Sequence, residues 1–156
     1  MKGSKVLGAV LGLLLACSIS TAAQTTQDQG PWRADSSNAR EITGDIAISG
    51  ARLIINFTGF TIAEIRKLTP AEGAAVFEGG SEAGGGGNLY RLSVPASKRL
   101  LHHNTLCGSD DTQWMATFTS GRQLAVAFFS GSKMPQLTID ALANSTDHCG
   151  TFLYTR

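Results

Sequence analysis

Trp114–Phe129 reads WMATFTSGRQLAVAFF, and this stretch decides the fold class. Trp114, Ala116 and Phe118 alternate with Met115, Thr117 and Thr119. A period of two belongs to extended chain, whose successive side chains point to opposite faces. Ser120-Gly121 supplies turn chemistry, and Leu124, Val126 and Phe128 then alternate with Ala125, Ala127 and Phe129. The pattern predicts a β-hairpin. Its second strand is apolar on both faces, so it is expected to be central or covered.

Toward the C-terminus, residues 137–144 fit either a strand or one helical turn, and CGTFLY from Cys149 to Tyr154 reads as a closing strand. Toward the N-terminus, residues 88–94 alternate as a strand that Pro95 ends. Before it, residues 79–87 (GGSEAGGGG) form a low-complexity loop. A phosphate-cradling loop needs a Lys-Ser/Thr continuation opening a helix, which is missing here. Residues 75–78 read as a strand, with Pro70-Ala71-Glu72 as an alternative start of a helical turn. Earlier still, Ile46 and Ile48 alternate with polar or small residues, Ser49-Gly50 marks a turn, and Leu53-Ile54-Ile55-Asn56-Phe57 is a β-branched run. Thr58-Gly59 reads as the next turn, and Phe60-Thr61-Ile62 as another strand. About seven or eight short strands with little helical periodicity point to an all-β fold, a single small antiparallel barrel or sandwich.

The N-terminus has a different character. Lys2 and Lys5 precede an uncharged apolar run from Val6 to Ala16. The run is shorter than the roughly 20 residues a membrane-crossing helix needs and suits an export signal. Leu14-Leu15-Ala16-Cys17 resembles a lipobox, which would lipidate Cys17 after cleavage at residue 16. Ser18-Ile19-Ser20-Thr21-Ala22-Ala23 offers a competing cleavage site. The expected organisation is a signal peptide at 1–23 (1–16 if lipidated), a flexible lead-in at 24–41 and a β domain at 42–156. The lead-in is polar with a Gly-Pro breaker, and Trp32 interrupts it and is expected to pin the segment's end to the domain.

Export also accounts for the cysteines. With Cys17 in or beside the signal, Cys107 and Cys149 remain as the one intrachain pair possible in an oxidising compartment. A metal pair or free thiols would need supporting residues that the sequence lacks. Without Lys2 and Lys5, the balance of 13 basic against 12 acidic residues becomes 11 against 12. So balanced a charge gives no electrostatic case for nucleic acid or an anionic membrane surface. A membrane role is expected only through the lipid anchor.

Catalytic signals are weak. Ser130-Gly131-Ser132-Lys133 has Ser-x-x-Lys spacing, but follows a strand and lacks its partner motifs. His102, His103 and His148, with Asp110, Asp111 and Asp147, concentrate groups suited to metal binding or acid–base chemistry. Adjacent histidines on a strand would point apart, however, and the expected role is polar capping near the disulfide. Tyr90, Trp114, Phe118, Phe128 and Phe129 would line a ligand cavity in an open barrel and fill the core of a closed one. No catalytic residue, metal or cofactor is expected.

Five segments recur in an order that resembles a family of small exported proteins of Gram-negative bacteria. They are ITGDI at 42–46 with Glu41 before it, NLYR at 88–91, NTLCG at 104–108, AFFSG at 127–131 and CGTF at 149–152. The family has no assigned activity, so the resemblance implies compartment and compactness. In size, export, disulfide and β character the chain is also loosely similar to periplasmic lysozyme-inhibitor lipoproteins. The expectation is a non-catalytic protein of the periplasm or outer membrane that binds a protein or other envelope component through its loops. Ser81, Glu82, His102, His103 and His148 are the candidate contact residues. The alternatives are a small-ligand-binding barrel and a His-dependent hydrolase.

Overall fold

The computed structural model describes residue 3, residues 27–78, residue 80 and residues 84–156. The signal segment, Cys17, Ser81 and Glu82 lie outside them. Eight strands run in sequence order: β1 (Gly30–Ala34), β2 (Ile46–Ser49), β3 (Arg52–Ile55), β4 (Thr58–Lys67), β5 (Gly86–Val94), β6 (Thr112–Ser120), β7 (Gln123–Phe129) and β8 (His148–Thr155). Each pairs antiparallel with the next, and β8 returns to β1 through Arg33 opposite Thr155 and Ala34 opposite Tyr154. The sheet therefore closes on itself as a barrel.

β1 corrects the lead-in expected over residues 24–41. The segment is polar, yet Trp32 is buried and its indole N–H donates to the Asp28 carbonyl at 2.8 Å. One large aromatic side chain contributes about 2–3 kcal/mol on burial, enough to hold a short strand in place. The strand's partners lie far along the chain, where local composition carries no trace of them. A π-helical turn at Ala39–Thr43 follows, with the Gly44 N–H donating to the Ala39 carbonyl.

The β6–β7 hairpin forms as its pattern predicts, with Ser120 opposite Gln123 across the turn. Its two apolar faces enter two different clusters. Leu124, Val126 and Phe128 point inward with Met115, Tyr90, Trp32, Phe152 and Tyr154 and fill the barrel. Ala127 and Phe129 point outward with Trp114, Ala116 and Phe118, where Phe77 and Leu137 cover them. Two short helices border this outer layer, α1 (Pro70–Val76) and α2 (Ile139–Ala143), with Val76 and Leu142 packed against it. The strand expected at residues 75–78 is thus replaced by the helical alternative. Thr69 and Glu72 form a reciprocal capping box with Pro70 in the first turn, a start signal that outweighs the short apolar run.

Polar groups lock the interior at two places. The Asp28 carboxylate, 1% exposed, accepts from Asn88 Nδ2 at 3.0 Å, the Tyr90 hydroxyl at 2.8 Å and Thr117 Oγ1 at 2.7 Å. Thr43 Oγ1 and the Tyr154 hydroxyl meet at 2.8 Å, and burial pushes the Tyr154 phenol above its ordinary pKa. Cys107 and Cys149 form the expected disulfide, with Cα atoms 4.9 Å apart.

Antiparallel order assigns each connection to one end. Residues 27–29, the β2–β3 and β6–β7 turns, the chain leading into β5 and the C-terminus gather at the proximal end. The π-helical turn, the β3–β4 turn, the β5–β6 and β7–β8 connections and the disulfide lie at the distal end.

Candidate functional site

The distal end carries two turns whose central residues are not glycine yet have positive φ. Ile55 pairs directly with Thr58, so Asn56 and Phe57 form a two-residue connection, and both have positive φ, 45° and 62°. That is the signature of a type I′ turn, in which Asn-Gly is the favoured pair. Asn tolerates the left-handed region, but a bulky residue there is strained. Phe57 is also 100% exposed. The strain and the exposure thus fall on one side chain.

The second turn repeats the device. The Asn104 N–H donates to the Leu101 carbonyl at 2.9 Å, with His102 and His103 between them at φ of 52° and 64°. The histidines therefore sit on a turn tip rather than on a strand, which corrects the opposite-faces argument. Both are exposed.

A depression of about 380 Å³ lies between the two turns. Phe57 and Leu101 stand on its walls, Ile54 and Ala47 form apolar lining, and Gly44 and Asp45 complete it. Gly44 has φ of 63°, and a Cβ there would meet Leu101 Cδ1 at 2.8 Å, so glycine both makes the bend and admits the Leu101 side chain. Asn104 Nδ2 donates to the Glu41 carbonyl at 3.1 Å and ties the histidine-bearing turn to the π-helical turn.

His148 heads β8 at the same end of the barrel but faces the outer apolar layer. It is half-buried and packs on Phe129 with ring centroids 5.1 Å apart, and burial lowers its pKa below the ordinary histidine value. Its Nε2 lies 3.4 Å from Thr151 Oγ1. That is loose for a base–nucleophile pair, and among the described residues no group accepts from the other ring nitrogen to orient it. Among the described residues no group of three or more His, Cys, Asp or Glu is placed to hold a metal ion. Ser130 is buried with its N–H on the Asp147 carbonyl at 2.8 Å, and Lys133 is exposed without a hydrogen bond to it.

The aromatic residues weighed as a cavity lining divide between the two clusters. Tyr90 and Phe128 face inward, while Trp114, Phe118 and Phe129 face outward. A larger groove of about 500 Å³ runs outside the barrel, where Phe77 and Phe118 face Ala125 and Leu153. His102 and His103 lie on the β5–β6 connection at the distal end, and Ser81 and Glu82 are outside the described residues.

Sequence reasoning missed Phe57, the most exposed large apolar residue described, by reading Leu53–Phe57 as one strand and Thr58-Gly59 as the turn. Gly59 lies within β4, paired with Ile54 of β3. Asn56 was the available turn signal. No helix among the described residues is long and apolar enough to cross a membrane. Compared with known proteins, the chain matches no family model, no curated protein and no solved structure.

Proposed function

We propose that this chain is a non-catalytic envelope protein that binds a partner protein through the distal end of its barrel, with Phe57 as the central contact. One observation carries the reading: a bulky aromatic side chain is held fully exposed in a left-handed turn where glycine would be easier. Strain of this kind costs on the order of 1–3 kcal/mol and clusters at functional positions. Aromatic side chains are also the commonest energetic centres of protein interfaces. His102 and His103, on a second turn of the same kind, extend the surface.

Location supports the same choice. The described chain enters the barrel through residues 27–29 at the proximal end, opposite the proposed contact surface. The export signal and the Cys107–Cys149 disulfide suit the periplasm or the outer membrane. In size, export, disulfide and β character the protein is loosely similar to periplasmic lysozyme-inhibitor lipoproteins.

The test is affinity capture from envelope extract with tagged wild type and with Phe57→Gly, identifying retained proteins by mass spectrometry. The reading expects a partner held by wild type and lost from the variant, while both proteins melt cooperatively. Identical capture by the two would remove the distal end as the contact.

A further inference from the structure

We infer that the depression beside Phe57 receives a cationic side chain, arginine or lysine, from the partner protein. The inference rests on the reading of the distal end as a contact surface and names the chemistry that surface selects. An exposed aromatic ring and a carboxylate border the same recess, while its lining is apolar. Phe57 supplies the ring, Asp45 the carboxylate, and Ile54, Ala47 and Leu101 the apolar surface. Long cationic side chains have the matching form, a hydrocarbon stem carrying a charged head. The stem lies on the lining, and the head meets the ring face and the carboxylate together.

Two exposed carboxylates, Asp45 and Glu41, lie beside the recess, and the exposed Arg33 follows Trp32 in the β1–β2 register on the Asp45 side. Asp45 Oδ1 accepts from the Ala34 N–H at 2.9 Å, and its Oδ2 has no partner among the described residues. Asp45 is exposed, so its charge is available. Glu41, also exposed, adds a second carboxylate on the adjoining π-helical turn. Arg40 on that turn is already engaged, with its guanidinium 3.7 Å from the Asp35 carboxylate. The molecule uses the same pairing of cation and ring within itself, with Arg91 4.7 Å from the Trp114 ring centre and Arg156 4.3 Å from that of Trp32. A recess of about 380 Å³ has room for one such side chain.

The test uses the purified, ¹⁵N-labelled protein titrated with N-acetyl-arginine methylamide and, separately, with N-acetyl-norleucine methylamide. Norleucine has the apolar stem without the charge. The arginine probe is expected to move the amide signals of Gly44, Asp45, Ala47 and Phe57 saturably, and the norleucine probe at least about tenfold more weakly. Asp45→Asn keeps an acceptor for the Ala34 N–H and removes the charge, and Phe57→Gly removes the ring and relaxes the turn. Each variant is expected to weaken the arginine response about tenfold. An equal response to norleucine, an unchanged response in Asp45→Asn, or no saturable response in wild type overturns the inference. Partner capture that depends on Phe57 but not on Asp45 leaves the contact surface standing and sinks the cation site alone. Capture indifferent to Phe57 sinks both.

Discussion

The Tyr90 hydroxyl donates to the Asp28 carboxylate at 2.8 Å, joining a residue just ahead of the first strand to the middle of the fifth. Both side chains are buried, and two further donors, from Asn88 and Thr117, converge on the same oxygen. Replacing Asp28 with alanine removes the buried acceptor that all three donors share. Such a loss is expected to destabilise the fold by about 3 kcal/mol, whereas Tyr90→Phe removes one bond and costs about 1 kcal/mol. Urea midpoints at constant slope measure both. Equal effects of the two substitutions would show that the converging donors do not act together.

Phe57→Gly is expected to make the protein more stable, by about 1 kcal/mol, because glycine occupies the left-handed region without strain. A large exposed side chain has little packing to lose on truncation. Thermal unfolding gives the sign directly. A lowered midpoint would mean that the phenylalanine is held by contacts rather than merely displayed.

The Cys107–Cys149 disulfide closes a loop across a sequence separation of 42 residues. In the chain-entropy account, a loop of this length contributes about 4 kcal/mol to stability. A Cys107→Ser, Cys149→Ser double variant should lose most of that in denaturant titration, and reduced wild type should match it. A difference of less than about 1 kcal/mol would place the stability of the distal end elsewhere.

Arg66 and Glu72 hold the start of α1 with two bonds of 2.7 Å, and the guanidinium lowers the Glu72 carboxyl to about 2 from a usual value of 4.5. A depressed folded pKa gives stability that is complete above the ordinary carboxylate range and is lost as pH falls from there through the folded value. The pair is partly exposed, so the contribution is expected to be only about 1 kcal/mol. Urea midpoints of wild type and Glu72→Gln should differ at neutral pH and converge toward pH 2. A constant gap across that window would assign the effect to helix capping alone.

The fold class was readable because β6 and β7 carry period-two patterns long enough to be unambiguous. The apolar character of both faces of β7 foretold an outer layer, which α1 and α2 help to provide. β1 was hidden because Pro31, Arg33 and Ala34 give no local strand signal, and Trp32 finds its place only among residues from β2 to β8. The turn at Asn56–Phe57 was displaced by the rule that glycine marks turns. Gly59 sits inside β4 instead, one residue after the strand begins and paired with Ile54. Asp28 illustrates the same limit, since an aspartate in a polar stretch looks solvated until its three donors arrive from β5 and β6. The histidines were visible as residues, but their separation into an exposed turn and a half-buried contact on Phe129 depends on tertiary structure.

Closure through β1 and β8 has a consequence for the order of assembly. The first strand finds its second neighbour only in the last eight-residue strand, through two paired positions. A chain emerging from its N-terminus thus holds an unfinished cylinder, with two raw strand borders, until its final residues are free. Contacts so distant in sequence form slowly, and open borders invite joining to other chains in the interval. Removing residues beyond His148 should therefore leave a sticky, unsealed sheet rather than a slightly smaller version of the same protein.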